Sequence, residues 1–209
     1  ELDKSNIQSK FIRGLRVTDK KIINIVESVL IDFNNDIVDS LKRFGTHATS
    51  IHTKKNNIIE VLPEAKELGF VGIPNKINND LIEKILNKKQ VPIISPLGLG
   101  DDNHPYNING DTAAGAIAKS LKSRRLLLMT NVEGVLDKDK KLINEITSTE
   151  VLKMVENNII TEGMIPKINT CLDAVKNGVT AVGIIDGRKQ HSILFEIFSD
   201  KGSGTLIRK

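Results

Sequence analysis

The stretch YNINGDTAAGAIAKSLK, residues 106–122, predicts a polar turn that leads directly into a helix of small residues. Asn107, Asn109 and Asp111 supply amide and carboxylate groups where this helix begins, and Ala113–Ala118 gives it a face that packs closely. An aspartate at a helix start caps backbone N–H groups, but several polar groups together at such a position also suit a ligand. Spacing alone leaves both explanations open.

The segment that follows, RLLLMT at residues 125–130, is apolar throughout rather than alternating. VPIISPLG and AVGIID have the same character, and helical segments separate them. This pattern indicates an α/β fold with a mainly parallel sheet and helices on both faces, in which ligands bind at the carboxyl ends of the strands. Upstream, periodicity predicts helices at residues 19–30 and 34–44, and the short strands of residues 45–77 predict a β-rich flap.

The composition of the 209 residues, 39% hydrophobic and 27% charged, is that of a soluble globular chain. No apolar run approaches the roughly 20 residues that span a membrane, and the first residues carry no signal sequence, so we expect a cytoplasmic protein without a membrane partner. The net charge is +4, but basic residues are scattered and aromatic residues make up only 3%, which argues against a nucleic-acid partner. The single cysteine, Cys171, excludes an internal disulfide.

The common nucleotide-binding motifs G-x-x-x-x-G-K-[ST] and G-x-G-x-x-G are absent, so candidate groups must be sought elsewhere. In GLRVTD, Arg16 forms either a surface ion pair or a bidentate clamp on a carboxylate. The segment TNVEGVLDKD leaves a strand end and is either a nucleotide loop or an ordinary connector. Lys167 lies in the first turn of a predicted helix, where a cation is unfavourable unless an anion binds there, and a solvated lysine is the alternative.

Taken in order, GLRVTD, YNINGDTAAGAIA, GVLDKDKKLI, GMIPKI and DGRKQHSILFEIFSDKGSGTLI resemble segments of the acetylglutamate kinases, in the amino acid kinase family. The similarity extends over essentially the whole chain, with order and approximate spacing kept. It implies a three-layer α-β-α sandwich. In that fold, residues 1–105 are the remainder of an acetylglutamate-binding lobe with its flap, and residues 106–209 are an ATP-binding lobe.

The implied reaction is ATP-dependent phosphorylation of the side-chain carboxylate of N-acetyl-L-glutamate, a step of arginine biosynthesis. By this resemblance Arg16 holds the α-carboxylate of the substrate, and Asn107 binds the substrate with Asn109 beside it. Asp111 orients the catalytic lysines, and Lys167 stabilises charge on the transferred phosphoryl group. The residues implied to hold the nucleotide are Asn131, Val132, Glu133, Gly134, Val135, Leu136, Ile159, Ile160, Thr161, Gly163 and Met164.

The resemblance also implies a cofactor, an effector and an assembly state. Magnesium would be held mainly by the ATP phosphates, so no protein metal site is expected. The C-terminal segment resembles that of arginine-inhibited, hexameric members, which places His191, Gly202 and Gly204 near an L-arginine site. A homo-oligomer, dimeric or hexameric, is therefore expected.

The chain departs from the family pattern chiefly at its beginning. Family members begin with a strand carrying Lys and a Gly pair, and a second strand ends in a His-Gly-Gly-Gly loop, whereas this chain begins ELDKSNIQSKF. We therefore expect an incomplete chain that in isolation is poorly stable and inactive. Asn131 also replaces a usual aspartate. The alternatives are a sister kinase that acts on acetyl-aminoadipate and a non-catalytic or arginine-binding subunit.

Overall fold

The computed structural model describes residues 1–160, 163–200 and 202–209 and divides into two compact units, Glu1–Ala113 and Ala114–Lys209. The first unit contains β1 (Phe11–Ile12), β2 (Leu15–Arg16), α1 (Lys20–Arg43), β3 (Ala48–Ile51), β4 (Ile59–Pro63), β5 (Gly72–Ile77), α2 (Asn79–Asn87), β6 (Val91–Ile94), β7 (Leu97–Leu99) and β8 (Pro105–Asn107). Helix α3 (Gly110–Ser120) begins in the first unit and ends in the second. The second unit continues with β9 (Arg125–Thr130), β10 (Glu145–Thr147), α4 (Ser148–Glu156), α5 (Ile165–Lys176), β11 (Ala181–Asp186), α6 (Ser192–Phe198) and β12 (Gly204–Arg208).

The predicted α/β class is confirmed, and the strands pair in both directions. Among the described residues, four strand pairs are parallel and four are antiparallel. In the first unit the strands form a sheet of order β5-β4-β7-β8, a parallel pair β3-β6 and a short hairpin β1-β2. In the second unit one sheet has the order β10-β12-β11-β9.

Strand β11 lies at the centre of the second unit, and all six of its residues are buried. Val182 and Ile184 pack into a core with Ile168 and Cys171 of α5. Gly183 points to the opposite face, where a Cβ would lie 2.8 Å from Leu127 and 3.4 Å from a carboxylate oxygen on α6. A strand covered on both faces has no polar face to show, which explains its continuously apolar sequence.

The first long helix is a single element, Lys20–Arg43, where sequence periodicity predicts two helices. Asp19 caps the helix, because its side chain accepts hydrogen bonds from the backbone N–H groups of Lys21 and Ile22 at 2.8 Å each. The prediction of two helices, at residues 19–30 and 34–44, was wrong, because the polar pair Asn34–Asn35 interrupts the apolar pattern without ending the helix.

Asn34 is instead a buried anchor between α1 and the parallel pair β3-β6. Its side chain is 3% exposed. Its amide donates to the carbonyl of Ile93 at 2.8 Å and to the hydroxyl of Ser95 at 3.1 Å, and its carbonyl accepts from Ser50 at 2.7 Å. One side chain therefore satisfies polar groups of both strands and fixes the helix across them.

A tight backbone contact positions the segment that carries Arg16. Thr18 is fully buried: its carbonyl accepts the N–H of Phe70 at 2.7 Å, and its own N–H donates to the carbonyl of Leu68 at 2.9 Å. Gly69, between Leu68 and Phe70 in the sequence, has φ +68°, and a Cβ there would lie 2.4 Å from the Thr18 carbonyl oxygen. Only glycine fits this approach, so the contact fixes the chain two residues beyond Arg16.

Among the residues that the structure describes, no helix combines the length and the hydropathy that a membrane crossing requires.

Asn34→Ala is expected to destabilise the protein by about 2 kcal/mol, because it leaves the buried Ser50 hydroxyl and Ile93 carbonyl without this partner. Urea unfolding followed by circular dichroism measures the change. The matched control is Asp32→Ala, an exposed position on the same helix, which is expected to stay within about 0.5 kcal/mol of wild type. Equal stability of the two variants would contradict the anchoring role.

Candidate functional site

Arg16 and Asn107, far apart in the sequence, line the same cavity of the first unit, with a volume of about 410 Å³. Arg16 belongs to β2, and Asn107 is the last residue of β8, held there by its N–H bond to the Phe70 carbonyl at 2.9 Å. Ser9 adds a hydroxyl, and α1 supplies an aliphatic wall. The other lining residues are Glu1, Leu2, Asp3, Ile25, Val26, Val29, Leu30 and Pro96.

The Arg16 guanidinium is held in place rather than extended into solvent. Its carbon lies 4.8 Å from the ring centre of Phe11, a cation–π distance, and one nitrogen donates to the hydroxyl of Ser9. Because a guanidinium offers five donors in one plane, it keeps further N–H groups for an anion in the cavity. The cavity therefore combines a fixed cation, a half-buried amide and an apolar wall, with the acidic Glu1 and Asp3 also in its lining. The part between Arg16, Asn107 and α1 suits a small carboxylate with an apolar substituent.

Asn109 and Asp111 lie at the beginning of α3 in different local roles. The Asn109 side-chain oxygen accepts from the backbone N–H of Thr112 at 3.1 Å, so Asn109 caps the helix. Asp111 lies within the first turn, where a carboxylate interacts favourably with the helix dipole.

In the second unit the predicted nucleotide loop begins at the end of β9, and the exposure of its residues differs along its length. Asn131, Val132 and Glu133 are exposed, whereas Gly134 and Val135 are buried. The Val135 N–H donates to the hydroxyl of Thr205 at 2.8 Å. A Cβ on Gly134 would lie 2.5 Å from that hydroxyl, so the close approach requires glycine.

The other predicted nucleotide residues lie around the beginning of α5. Ile159 and Ile160 follow α4, and Gly163 and Met164 come directly before α5. Val135, Ile160 and Met164 belong to or pack against one hydrophobic core, so their side chains stabilise the unit, and only their backbone groups are left for a ligand. Lys167 is half-buried in the first turn of α5. Thr161 lies outside the described residues.

The predicted effector residues surround the short helix α6. His191 comes directly before the helix with φ +62°, and Gly202 and Gly204 follow it. The buried Glu196 holds the turn after the helix: its carboxylate accepts the N–H of Ser203 at 2.8 Å, a Cβ on Gly202 would lie 2.7 Å from it, and Arg125 lies 3.9 Å away. Sequence reasoning missed Glu196, although a lone acidic residue inside the apolar run ILFEIF signals a buried carboxylate with a partner.

Asp186, the last residue of β11, is a second buried carboxylate that the sequence did not reveal. It is 2% exposed and accepts three hydrogen bonds of 2.9 Å from Arg188, from the backbone N–H, Nε and Nη2. These bonds lower the pKa of Asp186 to about 2. These three bonds between Asp186 and Arg188, called the fork below, fix the first residues of the loop that follows β11.

Among the residues described, no three His, Cys, Asp or Glu side chains lie close enough together to hold a metal ion.

Comparison with known proteins places this geometry in a family. The family model described as "Amino acid kinase family" matches residues 1–186. The chain belongs to the amino acid kinase family. Acetylglutamate kinase of Pelagibacter ubique (strain HTCC1062) is 57% identical over 204 residues, which are 98% of this chain and 71% of that protein. Acetylglutamate kinase of Clostridioides difficile (strain 630) is 48% identical over 213 residues, which are 100% of this chain and 74% of that protein.

A solved structure of the amino acid kinase fold agrees with the architecture. The crystal structure of smu.665 from Streptococcus mutans UA159 matches with a TM-score of 0.84 and 32% identity. The match covers 99% of this chain and 80% of the other. The family membership predicted from the motifs is thereby confirmed, whereas the roles of individual residues stay predictions.

The Asp186→Asn variant is expected to unfold more easily than wild type at neutral pH, with a difference that depends on pH. Because the folded pKa of Asp186, about 2, lies below its ordinary value of 3.8, its stabilising effect is fully present above about pH 4 and is lost as the pH falls toward 2. Thermal melts of both proteins between pH 7 and pH 2 measure this. The exposed Asp139→Asn is the control, and a difference from wild type that is constant with pH would contradict the assignment.

Proposed function

We propose that this protein uses ATP to phosphorylate the side-chain carboxylate of N-acetyl-L-glutamate, giving N-acetyl-L-glutamyl 5-phosphate, as a step of arginine biosynthesis. The observation that carries the proposal is the cavity shared by Arg16 and Asn107, in a chain 57% identical to an acetylglutamate kinase. A bidentate guanidinium matches the substrate α-carboxylate, Asn107 matches an amide of the substrate, and the aliphatic side of α1 matches its acetyl methyl group.

In this reaction the protein has mainly to position the two substrates and to neutralise negative charge. The side-chain carboxylate of the substrate is itself the nucleophile, so no general base is required. Its oxygen forms a bond to the γ-phosphorus while the bond from that phosphorus to the β,γ-bridging oxygen breaks, and ADP leaves. Lys167 neutralises charge that develops on the transferred phosphoryl group.

We assign the two units to the two substrates. The first unit, with Arg16, Asn107 and Asn109, binds N-acetyl-L-glutamate. The second unit binds ATP through residues 131–136, 159–161, 163 and 164. Magnesium would neutralise charge on the ATP phosphates, which would themselves be its main ligands.

The test of substrate identity is a panel of acylated amino acids with Mg-ATP, in which hydroxylamine traps the acyl phosphate as a hydroxamate. N-acetyl-L-glutamate should give the highest kcat/KM. Preference for N-acetyl-L-aminoadipate would favour the sister activity, and ATP binding without hydroxamate from any acceptor would sink the proposal.

Arg16→Lys is expected to raise the KM for N-acetyl-L-glutamate by about 10- to 100-fold and to leave the KM for ATP within about twofold, because an ammonium cannot replace a planar bidentate donor.

Lys167→Met is expected to lower kcat by about 100- to 1,000-fold with little change in either KM. Steady-state kinetics of the two variants separates binding of the acceptor from catalysis. A rise of both KM values in Arg16→Lys would contradict the assignment.

We further propose that L-arginine binds near His191, Gly202 and Gly204 and inhibits the kinase. The support is local: the buried Glu196 carboxylate holds the glycine turn and lies 3.9 Å from the Arg125 guanidinium, so the turn depends on a carboxylate that already accepts a guanidinium. Glu196→Gln should raise the arginine concentration needed for half-inhibition by at least tenfold. Absence of inhibition in wild type at millimolar arginine would contradict the effector site and leave the kinase proposal intact.

A further inference from the structure

The loops that leave β9 and β11 begin side by side. The two strands are parallel, their last residues Thr130 and Asp186 are register partners, and the Gly187 N–H donates to the Thr130 carbonyl at 2.7 Å. In open α/β sheets such adjacent carboxyl ends are where ligands bind. One of these loops, residues 131–136, is the proposed nucleotide loop, whereas nothing so far assigns a role to the other.

The loop after β11 has a rigid base. The fork between the buried Asp186 and Arg188 uses two side-chain nitrogens and the backbone N–H of the arginine, so residues 186–188 are held in one conformation. Lys189 follows directly and therefore leaves a fixed point. Its Nζ lies 2.8 Å from a carboxylate oxygen of Glu133.

The loop after β9 is anchored at Thr130 and again beyond Gly134, and the stretch between these points is exposed. Beyond Gly134 it is buried and bonded to Thr205, but residues 131–133 are exposed. Lys189 forms the ion pair that ties the Glu133 side chain to the loop after β11, and the charge of the neighbouring Arg188 also acts on Glu133. Release of the Lys189 pair would remove the direct contact between the exposed half of the loop and the loop after β11.

We propose that Lys189 and Glu133 form a clasp that positions the exposed half of the nucleotide loop, so that Lys189 is a positioning residue for ATP. This inference rests on the proposed function, because it deepens the account of the same nucleotide site. Both side chains are about half exposed, 49% for Lys189 and 52% for Glu133, so the pair contributes modestly, and the expected effect is a change of about three- to tenfold in ATP affinity.

The test compares two neutral variants and one charge reversal in the same protein. Glu133→Gln and Lys189→Met should each raise the Kd and KM for ATP about three- to tenfold. The double variant Glu133→Lys with Lys189→Glu restores the pair with unchanged net charge and should return both constants to within about twofold of wild type. The KM for N-acetyl-L-glutamate and the melting temperature should stay unchanged.

This design separates the clasp from a general charge effect. The two neutral variants change the local charge in opposite directions, so a simple field acting on the ATP anion would move the two Kd values in opposite directions. The matched control is Glu60→Gln, which removes the exposed ion pair to Lys76 at 3.4 Å in the other unit and should leave ATP affinity unchanged.

Unchanged ATP affinity in both neutral variants, shifts in opposite directions, or no rescue by the charge reversal would each overturn the clasp. Titration calorimetry measures ATP binding in the absence of an acceptor, so a failure of the clasp can be distinguished from a failure of the kinase reaction. ATP binding that follows the expected pattern without hydroxamate formation would overturn the proposed function and support the clasp. Absence of ATP binding in wild type would overturn both.

Discussion

The parallel pairing of β9 with β11 is the constraint on which the second unit depends. Because Thr130 and Asp186 are register partners, the carboxyl ends of these two paired strands lie side by side. The loops that follow can approach one another only because of this register. A slip of one residue would turn the buried side chains of β11 to the other face and separate the two loops. The core with α5 and the covering helix α6 both stabilise the register, and the glycines at positions 183 and 204 leave room for the close packing that it requires.

In the first unit, buried polar contacts rather than a strand covered on both faces fix the positions of the helices and strands. Asn34 holds α1 across β3 and β6, and Thr18 with Gly69 fixes the segment that follows Arg16. These contacts use full hydrogen bonding in places where water is excluded, so each is costly to disturb. The cavity that contains Arg16 and Asn107 is thus formed by elements whose positions are set several residues away from the side chains that line it.

Much of the fold was predictable from the sequence, and the reasons are physical. Continuous apolar strands such as AVGIID follow from burial on both faces, and Pro166 and Asp111 mark the first turns of α5 and α3. The single helix α1 was not predictable, because the amide of Asn34 finds its partners on strands distant in the sequence. The shared cavity of Arg16 and Asn107 was expected only through family resemblance, since spacing cannot bring β2 and β8 together. Glu196 and Asp186 were missed because only the fold brings Glu196 to the glycine turn and to Arg125, and Asp186 to a buried position beside Arg188, although a lone acidic residue in an apolar run is itself a signal.

In the proposed reaction, a carboxylate oxygen of N-acetyl-L-glutamate attacks the γ-phosphorus of ATP. This step can be followed by ³¹P NMR of the reaction with the acceptor labelled with ¹⁸O in its side-chain carboxylate. The expected result is an acyl phosphate resonance that grows in step with ADP and shows the small isotope shift of ¹⁸O bonded to phosphorus. ADP accompanied only by unlabelled inorganic phosphate would contradict it.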